Sequence, residues 1–188
     1  MLRRPLASLA LIAPLALGNS LAGAQGRPAA TAMRPTLVVF VTVDQMRADY
    51  LQRFDRQLTG GLRRLYDGGA VFLDGYQDHG ITETAPGHAA TMSGRFPMHT
   101  GIVMNTQGVN GVPDAALLEA LPNEPNASPA RFRGTTLTDW IKASNAQMRF
   151  LSVSRKDRGA ILPIGRSKGD VYWWSLNGTF TTSRYYAD

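Results

Sequence analysis

Four groups of side chains in this sequence could do chemistry together. Thr84 stands in "GITETAPGHAATMSG", among small residues and a proline. Pro86 suits the first turn of a helix and Gly87 allows close approach, so the hydroxyl can sit at an exposed helix start. A threonine hydroxyl is a poor nucleophile at neutral pH unless a base or a metal ion depresses its pKa. Asp44 ends the apolar run "LVVFVTV" and so stands at the carboxyl end of a strand, where ligands gather in open α/β sheets. There it could hold the divalent cation that activates Thr84. Lys156 and Arg158, in "SVSRKDRGAILPIG", also follow a strand, and an ammonium beside a planar guanidinium suits the oxygens of a phosphoryl group. Asn105, in "HTGIVMN", could add a side-chain amide to the same oxygens.

Each residue also has a plainer reading. Thr84 could cap the helix that follows it, and Asp44 could cap the next helix after its strand. Lys156 and Arg158 could lie in a solvated basic loop, and Asn105 could be a turn residue.

The elements that would position these residues follow an α/β order. Leu37 to Val43 is a nearly unbroken β-branched run, as expected of a strand buried on both faces of a parallel sheet. Leu51, Phe54, Leu58, Leu62 and Leu65 have helical spacing, with Gly60 and Gly61 as a break. "AVFLDGYQ" reads as a short strand, the Thr84 stretch as a helix, "TTLTDWIKASN" as a helix capped by Thr135 or Thr136, and "MRFLSVS" as a strand. Residues 106–133, rich in Pro, Asn and Gly, read as a surface excursion. "DVYWWSLNGTFTTSRYY" reads as a hairpin turned on Asn177 and Gly178. Together these describe an α/β domain with a largely parallel sheet.

The chain opens with Arg3 and Arg4, an apolar run from about Leu6 to Leu17 interrupted by Pro14, and then Ala22-Gly23-Ala24. This is the pattern of a secretory signal peptide over 1–24, cleaved after Ala24 and followed by a polar lead-in over 25–34. The run is short of the roughly 20 apolar residues that a membrane span needs. The protein is therefore expected to be exported, periplasmic or secreted, with no membrane attachment after cleavage. It has no cysteine, which excludes disulfides, a thiol nucleophile and thiolate metal ligands. The net charge of +6 suits small anionic substrates, but it is scattered without a long basic run and gives no argument for nucleic acid.

Taken in order, "VTVDQMRADYLQRF", "GGLRRLYDGGAVF", "TETAPGHAATMSGRFPMHTGIVMN" and "SVSRKDRGAILPIG" resemble the alkaline phosphatase superfamily. The similarity is greatest to its exported, threonine-nucleophile, two-zinc members related to the type I phosphodiesterase/nucleotide pyrophosphatase family. It covers about residues 36 to 188. The resemblance implies an alkaline-phosphatase-like sandwich, a central largely parallel sheet flanked by helices, with residues 35–188 forming the N-terminal part of the catalytic domain. It implies metal-dependent hydrolysis of small phosphate monoesters through a phosphorylated Thr84, with two Zn²⁺ per complete site. Asp44 and Thr84 would be metal ligands, Asn105 a phosphoryl-oxygen donor, and Lys156 with Arg158 the pair that binds the transferred group. Phosphodiesterase relatives generally lack this Lys-x-Arg, and a sulfatase would need a modified Cys or Ser. The alternatives are a type I phosphodiesterase/nucleotide pyrophosphatase or a non-catalytic fragment.

The resembled family takes its other metal ligands from later in the chain than this sequence reaches. His79, His88 and His99 are the three histidines, and Asp78-His79 imitates a metal pair by coincidence. His88 belongs to the nucleophile motif as a structural hydrogen-bonding residue. The sequence is thus expected to be an N-terminal fragment with little or no activity by itself.

Overall fold

The computed structural model describes residues 35–109 and 127–187. The expected signal peptide and lead-in, and residues 110–126 of the expected surface excursion, lie outside the described residues. The chain divides after Phe40 into two units. In the first, the described residues 35–40 form neither helix nor ladder, and every helix and strand among the described residues belongs to the second.

The expected helical stretch after Asp44 is broken as its glycines require. Helix α1 (Tyr50–Arg53) is followed by a 3₁₀ turn (Asp55–Gln57), and α2 (Gly61–Gly68) starts afresh behind Gly60. Helix α3 (Thr84–Ser93) carries the Thr84 stretch and α4 (Pro97–Thr100) follows it. Helix α5 (Leu137–Ser144) starts on a capping box: Thr136 N–H donates to Asp139 Oδ2 at 2.7 Å, while the Thr136 side chain takes the reciprocal bond. Strand β1 (Leu151–Ser154), helix α6 (Asp157–Ile164) and strand β2 (Asp170–Trp174) form a crossover unit, with Leu151 opposite Asp170 in a parallel ladder. Strand β3 (Phe180–Thr181) returns antiparallel to β2 through the expected turn, where Gly178 takes a φ of +85°. The α/β reading therefore stands, with the hairpin making the three-stranded sheet mixed.

Small residues let the helices close on one another. Ala85 and Ala89 of α3 share one buried cluster with Ala160 and Ile161 of α6, and α6 in turn packs on β2, whose Val171 and Trp173 belong to the same cluster. Burying a large side chain such as Trp173 contributes about 1.5–3 kcal/mol. Helix α6 was not expected from sequence, where a solvated basic loop was the plainer reading of Lys156 and Arg158. Gly159 and Pro163 obscure the helical pattern, yet the segment is a two-turn helix with six buried residues.

Two expected strands form no ladder among the described residues. Leu37 to Val43 is unpaired, and residues 70–77 are coil with Phe72 and Leu73 exposed. Both have the composition of strands, but a strand exists only by pairing its backbone groups, and no described strand supplies that partner. The ends of the expected surface excursion belong to the core: Val109, Ala127, Ser128 and Phe132 are buried, and Ser128 N–H donates to Val109 O at 2.8 Å. No helix among the described residues is long and apolar enough to cross a membrane.

Candidate active site

Asp44 sits in a turn closed by Met46 N–H on Val43 O at 3.3 Å. Gln45 beside it takes a φ of +61°, a left-handed conformation uncommon for a residue with a Cβ. The next helix begins only at Tyr50, with Asp49 at its N-cap position, so Asp44 caps nothing. Its carboxylate receives two side chains on one oxygen. Thr84 Oγ1 and Lys156 Nζ each donate to Oδ2 at 3.1 Å.

Thr84 is the first helical residue of α3, and the N-cap position belongs to Glu83 in an extended conformation. The hydroxyl therefore points to Asp44 instead of capping the helix. At this end of α3, Pro86 has no N–H, and Ala85 N–H donates to Asn105 Oδ1 at 2.9 Å. Thr84's own N–H remains, among the described residues, at the positive end of the helix. Because a backbone N–H only donates, the Asn105 atom facing Ala85 must be the oxygen, which leaves Nδ2 for another acceptor. Asn105 is held a second time, its N–H donating to Glu83 Oε2 at 2.6 Å. His88 is buried, and its Nδ1 donates to Thr84 O at 2.8 Å, the hydrogen-bonding role expected of it.

Lys156 is the N-cap residue of α6, which carries its ammonium across to Asp44. Arg158, two residues on, makes no hydrogen bond or ion pair with Asp44, Thr84 or Asn105. Its guanidinium is paired with the buried Asp157 at 3.4 Å. Four of the five expected site residues are thus drawn together, and the fifth is anchored beside them in sequence but not in contact. A cleft of about 780 Å³ lined by Phe132, Arg131, Arg133 and Arg166 includes none of the five, and the Asp44 and Lys156 side chains are partly exposed where they meet.

Partial burial alone would raise the pKa of Asp44. Hydrogen bonds from Lys156 and Thr84, with the charge of Lys156 and a smaller contribution from His88, outweigh it and hold the carboxyl below the usual 3.8. The same oxygen suits a metal ion. Two oxygen ligands of a tetrahedral divalent cation stand about 3.4 Å apart, and Asp44 Oδ2 and Thr84 Oγ1 stand at 3.1 Å. Among the described residues no cluster of three or more His, Cys, Asp or Glu side chains extends this pair, and Asp78-His79 does not form one. The pair fits as two ligands of one ion, not as a whole coordination sphere.

Sequence reasoning did not single out Glu83 or Asp157, which hold Asn105 and Arg158. Glu83 precedes the helix like any first-turn acid, and its partner lies 22 residues away, beyond any local pattern. Asp157 carried a signal in its position between Lys156 and Arg158.

The family model for type I phosphodiesterase/nucleotide pyrophosphatase matches residues 38–158, from the run before Asp44 to the Lys-x-Arg pair. The chain belongs to that family. Among members of this phosphodiesterase family and its alkaline phosphatase relatives, it is similar to alkaline phosphatase PhoK of Sphingomonas sp, 37% identical over 150 residues, or 74% of this chain and 27% of that one. It is similar to alkaline phosphatase PhoV of Synechococcus elongatus, 37% identical over 168 residues, or 83% of this chain and 30% of that one. The crystal structure of an alkaline phosphatase PafA variant superimposes with a TM-score of 0.71 at 28% identity, covering 78% of this chain and 31% of that one. The chain therefore spans about three tenths of the length of the relatives it matches. Its fold is that of the alkaline phosphatase superfamily.

Proposed function

We propose that the protein hydrolyses phosphate monoesters in two steps, through a phosphorylated Thr84. The observation that carries this is the junction at Asp44 Oδ2, where a hydroxyl on the first residue of a helix meets a lysine ammonium, with a braced asparagine beside it. The PafA variant replaces a threonine, an asparagine, a lysine and an arginine. The same four residue types recur here in the same order, and with the same separation within each pair, as Thr84, Asn105, Lys156 and Arg158. That correspondence supports assigning all four to one site.

Phosphoryl transfer needs positioning and charge more than covalent assistance. In the first step Thr84 Oγ1 attacks phosphorus, the bond from phosphorus to the alcohol oxygen breaks, and the alcohol leaves. The hydroxyl proton passes through solvent to the leaving alcohol oxygen, while Asp44, kept charged beside Lys156, orients the hydroxyl. Asn105 Nδ2 and Thr84 N–H hold oxygens of the transferring group, while Lys156 and Arg158 balance its charge. Water then attacks phosphorus, the bond from phosphorus to Thr84 Oγ1 breaks, and a proton from that water restores the hydroxyl as phosphate leaves. Asp44 and Thr84 would hold a divalent metal, zinc by family resemblance, and such an ion lowers the pKa of a bound hydroxyl and neutralises developing charge. Export is supported by the leader at 1–24.

The family model is named for diester hydrolysis, which makes a diesterase the second reading. A monoester presents one more charged oxygen than a diester, and Lys156 with Arg158 supplies the matching cations. The experiment compares p-nitrophenyl phosphate with its bis ester, using the protein expressed through its whole reading frame, with zinc at alkaline pH. Monoester preference of about tenfold or more, with phosphate trapped on Thr84 by acid quench and lost in Thr84→Ala, is the expected result. Preference for the bis ester would give the site to a diesterase. Turnover that survives Thr84→Ala would remove the phosphothreonine.

A further inference from the structure

The two neighbours of Thr84 in sequence both grip Asn105. Ala85 N–H donates to its Oδ1 at 2.9 Å, and Glu83 Oε2 accepts from its backbone N–H at 2.6 Å. Glu83 uses its carboxylate in this way although it occupies the N-cap position of α3, where it makes no capping bond of its own. A carboxylate accepting a backbone N–H makes a charge-assisted bond, about twice as strong as a neutral one. The loop bearing Asn105 is therefore pinned at its main chain by residue 83 and at its side chain by residue 85. Only Nδ2 is left to turn outward, and its distance from the Thr84 hydroxyl is fixed by residues on either side of that hydroxyl.

We propose that Glu83 is the positioning residue for Asn105, holding its amide at a set distance from the Thr84 hydroxyl. The inference rests on the proposed reading of Thr84 and Asn105, and it adds a residue that touches neither substrate nor metal in that scheme. A misplaced oxyanion donor costs as much as an absent one, so the loss of the brace should approach, and not exceed, the loss of Asn105 itself.

The test is a double-mutant cycle on monoester turnover with a parallel structural readout. Glu83→Ala should lower kcat/KM by about 10- to 100-fold, whereas Glu83→Gln, whose amide oxygen still accepts the Asn105 N–H, should stay within about threefold of wild type. In the Asn105→Ala background, Glu83→Ala should cost less than about threefold. A loss in that background as large as in wild type would mean that Glu83 acts on something else. Equal losses from Gln and Ala would mean that its charge matters and its bond does not. Either result overturns the proposal.

Amide hydrogen exchange on the same proteins needs no turnover. Protection at Asn105 N–H and Ala85 N–H should fall about tenfold or more in Glu83→Ala, persist in Glu83→Gln, and leave the β1–β2 amides unchanged. Unchanged protection at Asn105 overturns the proposal whatever the kinetics. A wild-type protein without monoester turnover would remove the functional reading and leave the exchange result to decide the role of Glu83.

Discussion

Gly159→Ala probes the contact that sets how closely α6 approaches its neighbours. A Cβ at residue 159 would lie 2.5 Å from Ser154 Oγ, 3.2 Å from Ser154 Cβ and 3.6 Å from His88 Nε2. Two effects oppose each other. Alanine in place of glycine within a helix gains up to about 1 kcal/mol from backbone entropy. Overpacking a closed contact costs about 1–3 kcal/mol. The cost should fall in the upper part of that range, because Ser154 has little freedom to yield. Its Oγ accepts Lys156 N–H at 3.3 Å, and its Cβ is fixed to the β1 backbone. The expected net effect is destabilisation by about 1–2 kcal/mol. Urea unfolding followed by the fluorescence of the buried Trp173 should show a midpoint lower by about 0.5 M or more at unchanged slope. Ser154→Ala removes the nearest atom and should recover about half of the loss in the double variant. A midpoint raised by Gly159→Ala, or a loss that Ser154→Ala leaves untouched, would refute the close seating of α6.

Lys156→Ala and Arg158→Ala should each lower kcat/KM for p-nitrophenyl phosphate by about 10- to 100-fold and that for the bis ester by less, as steady-state kinetics on both esters will show. Asp44 has a folded pKa below 3.8, so its contribution to stability is present above that value and is lost as pH falls through the lower one. In metal-free protein, urea midpoints across about pH 3 to 6 should therefore drop less steeply at the acid end for Asp44→Asn than for wild type. The difference is small because Asp44 and Lys156 are both partly exposed. Thr136→Ala removes the capping box of α5 and should destabilise by about 0.5–2 kcal/mol in the same assay.

Elements specified by near neighbours were legible in the sequence. The α5 capping box spans Thr136 to Asp139, the β2–β3 turn is an Asn-Gly pair, and Thr84 opens a helix whose first turn holds a proline. Elements that depend on a distant partner were not legible. Leu37 to Val43 has the β-branched residues of a central strand, but a strand is a relation between two segments, and its own residues name only one. Helix α6 was missed for the opposite reason. Gly159 and Pro163 argue against a helix locally, while the burial of Ala160, Ile161 and Leu162 against α3 and β2 overrides that preference. The site follows the same division. Asp44, Thr84 and Lys156 could be named from their places at the ends of expected elements and Asn105 through the family resemblance, whereas the plainer reading of Asp44 and Thr84 as caps was removed only by seeing Asp49 and Glu83 in those places. Glu83 itself could not be found without the loop it holds.

The junction at Asp44 also has a place in time. Its two bonds close chain segments of 40 and 112 residues, the second costing about 0.9 kcal/mol more in loop-closure entropy than the first. Helix α5, with its local capping box, and the β1–α6–β2 unit rest on shorter-range contacts and can form before either loop is closed. The arrival of the Asp44 carboxylate at the hydroxyl and ammonium, which the packing of α3 on α6 already brings near one another, is then expected to come late in folding and to be undone early. Mild heat or low urea should separate the carboxylate from the other two side chains while the far-ultraviolet signal of the helices is still intact, and recovery of the junction after dilution should lag behind recovery of that signal.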